Sequence, residues 1–157
     1  MPELKVFDKN MQGDVERFFE KCFADLGWSY DPAGRHSDIS NVYGTYMEKG
    51  CMWCLYDGGL LIGTVAVKNI SVKGYSEKAL ELKRFFVLKE YHGQGYGRLL
   101  LETAIAYSRE NGFGKIFLDS RIDLRAALHL YRKYGFVETS AYNDNEQADL
   151  YMQLKLR

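Results

Sequence analysis

Three glycines alternate in His92-Gly93-Gln94-Gly95-Tyr96-Gly97-Arg98, between an apolar run and an amphipathic one. Glycine adopts backbone angles that let consecutive N–H groups face one anion, and it lacks the β-carbon that would hold that anion away. Residues 82–88 before it read as a strand, and residues 96–111 after it read as a helix. A glycine-rich turn from a strand into a helix N-terminus is a place where phosphate-bearing ligands sit. Two phosphate-binding designs fail on the residues. A P-loop needs Gly-Lys-Ser/Thr at the helix start, and Gly97 is followed by Arg98-Leu99. A dinucleotide fingerprint needs a glycine at the sixth position of G-x-G-x-x-G, where this chain has Arg98.

Cys51-Met52-Trp53-Cys54 has C-x-x-C spacing. It falls in a predicted strand, where residues three apart face opposite sides. A redox pair needs a helix start, and a zinc site needs two further ligands. With Cys22 the chain has three cysteines, read as ordinary buried thiols. No cluster has metal-ligand spacing, so no metal is expected.

The elements that must hold the glycine loop follow from hydrophobic period. Residues 4–7 read as a short strand. Residues 11–26 carry Val15, Phe18, Phe19, Cys22 and Phe23 at helical spacing, with Gly27 after them. Residues 28–35 read as a loop and residues 39–49 as a second, shorter helix. Residues 51–56 and 60–68 around Asp57-Gly58-Gly59 read as a hairpin. Residues 69–76 read as a polar connection and residues 79–88 as the next strand. After the loop helix come a strand at 115–119, a helix at 124–134 closed by Gly135, and strands at 136–139 and 148–156. The order β-α-α-β-β-β-α-β-α-β-β predicts one mixed α/β domain over residues 1–157.

Composition is ordinary for a globular protein, with 157 residues, 46% hydrophobic and 27% charged. The 21 basic and 21 acidic residues cancel, which argues against nucleic acid as a partner. No run approaches the roughly 20 apolar residues of a membrane helix. Charges at Glu3, Lys5 and Asp8 stand where a signal peptide needs an apolar core. A cytoplasmic location is expected.

The loop resembles motif A of the GNAT superfamily of acyl-CoA-dependent N-acetyltransferases. That motif is Arg/Gln-x-x-Gly-x-Gly/Ala, and it maps onto residues 92–97 with His92 in the first place. Downstream, Ala127-Leu128-His129-Leu130-Tyr131 through Gly135-Phe136 resembles the family's Ala-x-x-Leu-Tyr-x-x-x-Gly-Phe element. The family often has asparagine seven residues before that tyrosine, where this chain has Leu124. The resemblance implies the GNAT fold: a central mixed, mostly antiparallel sheet, splayed between its fourth and fifth strands and flanked by about four helices. It implies acetyl-CoA as co-substrate. His92, Gly93, Gln94, Gly95, Tyr96, Gly97 and Arg98 would hold its pyrophosphate, and the backbone of Phe86, Val87 and Leu88 its pantetheine. It also puts a homodimer among the states to expect.

An amine must lose its ammonium proton (pKa near ~10) before it can attack a thioester. By resemblance Glu81 is the candidate base; the plain alternative is a solvated glutamate beside Lys83 and Arg84. Strand alternation predicts Glu81, Lys83 and Phe85 on one face and Leu82 and Arg84 on the other. The same resemblance makes Tyr131 the candidate donor to the leaving thiolate, the plain alternative being a core aromatic on the helix face of Ala127 and Leu128, and it makes the Val87 N–H the oxyanion donor. By resemblance the acceptor site forms from residues 28–38 and 140–145, which include His36 and Asn143; Trp28, Tyr30, Arg35 and Tyr142 are its candidates, with a small-molecule amine as expected partner. Two other functions remain open: a non-catalytic acyl-CoA-binding module, and acetylation of a protein.

Overall fold

The computed structural model describes residues 1–157. Its seven strands are β1 (Glu3–Val6), β2 (Gly50–Asp57), β3 (Leu60–Val72), β4 (Tyr75–Val87), β5 (Lys115–Ser120), β6 (Val137–Thr139) and β7 (Leu150–Lys155). They form one sheet in the order β1-β2-β3-β4-β5-β7-β6. Every neighbouring pair is antiparallel except β4 and β5. The helices are α1 (Gln12–Leu26), α2 (Ser37–Ser40), α3 (Tyr96–Glu110) and α4 (Arg125–Lys133). None is long and apolar enough to cross a membrane.

Helices cover both faces of the sheet because β2 is apolar on both sides. Trp53 packs edge-on against Tyr107 of α3 at 5.2 Å. Tyr56, three residues on, faces the other way and donates its hydroxyl to Asp14 of α1 at 2.8 Å. The predicted stripe of α1 is buried, and the helix stops at Gly27, whose φ of 73° only glycine adopts without strain.

Two stretches differ from the sequence reading. Residues 69–76 are strand, not connection: β3 runs to Val72 and β4 starts at Tyr75, around a tight turn with Gly74 at φ 86°. This end of the hairpin is solvated, so Ile70, Val72 and Tyr75 are only half-buried among polar residues and gave a weak signal. Residues 39–49 are not one helix. Asn41 turns its side chain onto the Gly44 N–H at 3.1 Å, and Gln12 of α1 takes the Val42 N–H and donates to the Ile39 carbonyl. The chain resumes as a wider π turn at Tyr43–Met47.

The feature that builds the site lies in β4. Lys83 pairs with Ala66 and Phe86 with Thr64, so Arg84 and Phe85 together face Val65. This is a β-bulge, with Arg84 at φ 54°. A non-glycine residue there costs on the order of 1–3 kcal/mol and persists only where its surroundings hold it. Thr64 Oγ1 donates to the Arg84 carbonyl at 2.7 Å, and the guanidinium makes two 2.8 Å hydrogen bonds to Asp38. The bulge also changes the facing of the strand. Lys68, Ala66 and Thr64 share a face, so their partners Glu81, Lys83 and Phe86 share it too. Phe85 lies opposite, against the expected alternation.

Beyond the bulge the sheet opens. β4 and β5 pair only at Ala79–Lys115, Leu80–Ile116 and Glu81–Phe117. Glu81 is therefore the last paired residue before the strands part.

Burial pushes the Asp38 carboxyl up, but Arg84 and Tyr46 pull it down further and leave it below the usual carboxylate range. A lowered carboxyl stabilises the fold above its unfolded pKa and loses that contribution as pH falls through the folded one. Asp38→Ala is expected to cost about 2–3 kcal/mol at pH 7, since it strands a mostly buried guanidinium. Urea titrations at pH 7 and at pH 3 check this: the deficit of the variant shrinks at the lower pH.

Candidate active site

The opening between β4 and β5 leads to two clefts, of about 630 and 740 Å³. Phe85, Phe86 and Leu124 line both, so the clefts share a wall where the strands separate.

The larger cleft contains the glycine loop. Gly93 and Gly95 have φ of 78° and 87° and face open space. A side chain at either would strain the backbone rather than fill a void. Gly95 precedes α3 with no side-chain cap, and Leu124 precedes α4 with none. The first N–H groups of both helices therefore lack side-chain partners. Gly97 lets α3 lie close to α4, since a β-carbon there would sit 3.2 Å from Leu130 Cδ1. Arg98, Arg125 and Lys133 add positive charge to the walls. The cleft suits an elongated ligand with an anionic end.

His92 has a visible task. Its Nε2–H donates to the Val87 carbonyl at 2.8 Å, tying the loop to the end of β4. Leu88 donates its N–H to Ile62 at 2.9 Å, so antiparallel alternation turns the Val87 N–H away from β3, toward the opening. Phe86, Val87, His92, Gly93, Gly95, Tyr96, Gly97 and Arg98 line this cleft. Gln94 lies outside its lining, and Leu88 turns its side chain into the core.

Glu81 lines the smaller cleft at 6% exposure. It is not a solvated strand glutamate. Tyr142 donates to its Oε2 at 2.7 Å and Asn143 Nδ2 at 3.2 Å. Asn143 also donates to Asp119 at 2.8 Å, and Asn145 donates to the other oxygen of Asp119 at 3.0 Å. Burial, followed by the charge of Glu81, pushes the Tyr142 phenol far above its ordinary range. It stays a donor, and Glu81 keeps unbonded lone pairs facing the cleft.

Tyr131 lines the same cleft from α4 and packs against Phe85 at 5.7 Å and Phe136 at 5.6 Å. It is buried, yet its hydroxyl makes no hydrogen bond within the protein. The hydroxyl itself is not sealed from the cleft, so it is free to bond a ligand there. Burial, reinforced by Asp119, raises its pKa and keeps it protonated.

Among the acceptor candidates, Trp28, Arg35 and Tyr142 line the smaller cleft. Tyr30 does not; it packs against Phe23 and His36, each at 5.6 Å. His36 and Asn143, from the two segments expected to form the acceptor site, also line it, as do Asp119 and Arg121, which the sequence reading missed. The three cysteines are buried, and burial pushes Cys22 and Cys54 up to about 12 and Cys51 to about 11.

The family model described as "Acetyltransferase (GNAT) family" matches residues 15–136. The chain is similar to rat N-acetyltransferase family 8 member 3, with 29% identity over 109 residues, 68% of this chain and 48% of that protein. It thus spans about half the length of the mammalian relatives it matches. Among solved structures, a GNAT-family acetyltransferase from Staphylococcus aureus superposes with a TM-score of 0.86 at 17% identity, over 100% of both chains. A Brucella melitensis GNAT-family acetyltransferase in complex with acetyl-CoA superposes with a TM-score of 0.72 at 17% identity, over 99% of this chain and 88% of that one.

Tyr142→Phe removes one of two donors from a buried carboxylate and is expected to cost about 1.5–3 kcal/mol of stability. Denaturant unfolding of the two proteins measures it; equal midpoints contradict the hydrogen bond.

Proposed function

The chain belongs to the acetyltransferase (GNAT) family, and on that premise we propose that it transfers an acetyl group from acetyl-CoA to a primary amine of a small molecule. The observation that carries this reading is the meeting of two clefts at one opening, with Glu81 and an unpartnered Tyr131 hydroxyl beside it. Acetyl-CoA would occupy the glycine-loop cleft, where uncapped helix ends and cationic side chains suit its pyrophosphate. When bound, it supplies the thioester carbonyl that the amine attacks.

The residues divide the remaining work. Glu81, held by Tyr142 and Asn143, accepts the amine proton directly or through water. The Val87 N–H, directed into the opening, donates to the oxygen that gains charge. Tyr131 donates to the departing thiolate and recovers its proton from solvent, while Glu81 releases the amine proton there. The C–N bond forms and the C–S bond breaks, with no other reactant required. Aromatic and charged groups from two loops line the acceptor cleft, whose 630 Å³ favours a small amine.

Thiol release from acetyl-CoA over a panel of amines tests this. Glu81→Gln and Tyr131→Phe are each expected to lower kcat about 100-fold or more, with acetyl-CoA affinity unchanged. The wild-type rate rises with pH as the ammonium deprotonates. Tight CoA binding without turnover of any amine would instead identify a non-catalytic acyl-CoA-binding module. Turnover of peptide N-termini alone would identify a protein acetyltransferase.

A further inference from the structure

The charge of the acceptor cleft does not match that of the chain. The protein as a whole is neutral, yet five cations and two carboxylates line this cleft. Of the cations, Arg84 is spent on Asp38. Arg121 is not spent. It follows β5 directly, and its guanidinium makes no hydrogen bond within the protein. Its nearest anion, Asp123, lies at 3.5 Å from Nε, too poorly aligned to accept. Both terminal nitrogens therefore keep their donors. The Trp28 ring, 4.5 Å from Cζ, holds the guanidinium plane by cation–π contact.

A second donor stands in the same wall. His36 is buried and packs against Phe23 at 4.6 Å, and Phe23 in turn packs against Trp28 at 5.7 Å. The His36 Nδ1 accepts the Asp31 N–H at 2.9 Å. Burial, then the charges of Arg84 and Arg35, lower its pKa, so the neutral ring carries its proton on Nε2. That N–H has no acceptor in the protein, and the residue lines the cleft. Arg35, exposed at the rim, adds a third donor group without a side-chain partner.

A fork of N–H groups fixed on an aromatic ring, with a neutral donor lining the same cleft, suits a carboxylate in geometry and charge. Glu81 and Asp119 lie in the same cleft and suit the ammonium end of the same molecule. We infer that the acceptor is an amine that also carries a carboxylate, bound by Arg121 with His36 and Arg35 while its amino group faces Glu81. This rests on the acetyltransferase reading and narrows it to amino acids and amino-acid-like compounds.

Matched pairs test it: leucine, phenylalanine and methionine against their amides, with butylamine and phosphoethanolamine alongside, each assayed by thiol release. The carboxylate member of each pair is expected to have a kcat/KM about 10- to 100-fold higher. Arg121→Leu should collapse that ratio toward one, and Arg121→Lys, which keeps the charge without the fork, should retain part of it. Circular dichroism melts confirm that both variants fold. Equal use of the amides or butylamine, a preference for phosphoethanolamine, or an unchanged ratio in Arg121→Leu overturns the inference and leaves the acetyltransferase reading intact. Absence of turnover on every amine sinks that reading. Calorimetric titration of leucine into the CoA-loaded protein then decides the carboxylate site alone: heat that Arg121→Leu abolishes supports it, and no heat overturns it.

Discussion

The site depends on one unfavourable backbone conformation, Arg84 at φ 54° in the middle of β4. A bulge bends its strand and ends regular pairing. Here it lies three residues past Glu81, the last residue that β4 pairs with β5. The strain is held by Asp38 from one side of the sheet and by Thr64 within it. Tyr46 donates to the same Asp38. A short, irregular helical segment between α1 and β2 is thus what fixes the opening of a sheet far from it in sequence.

The same bulge distributes the chemistry. By exchanging the facing of Phe85 and Phe86, it puts one ring on each face of the sheet, in the wall that both clefts share. Phe86 packs against Phe19, Phe23 and Trp28 on the α1 side, and Phe85 packs against Tyr131 on the α4 side. The ligand groups that must meet can approach along the two clefts that share this wall, with the Val87 N–H turned toward the opening. Neither cleft is buried in the core; each is a surface groove deepened by the missing strand pairing.

Local signals made much of this legible. The glycine loop, the stripe of α1 and the Gly135-Phe136 end of α4 each depend on residues close in sequence, and the order of elements followed from them. Readings that depended on distant partners went astray. Residues 39–49 have helical spacing, but Gln12 and Asn41 take the backbone groups a continuous helix would need. The facing of Phe85 was inverted because no residue type announces a bulge at an arginine. Asp119 and Arg121 were passed over because each is an ordinary polar residue until the fold brings it to the opening. His92, which breaks the motif by residue type, is explained by a backbone contact: it ties the loop to Val87.

The central claim is that the gap after Glu81 is where a thioester meets an amine. A crystal structure of the protein with acetyl-CoA tests it most directly. The account predicts the pyrophosphate on the amides of residues 93–98 and the thioester carbonyl on the Val87 N–H. Glu81 and the Tyr131 hydroxyl should then lie within about 3 Å of the reacting atoms or of one bridging water. A thioester bound outside the opening, or one from which both side chains are walled off, would contradict it.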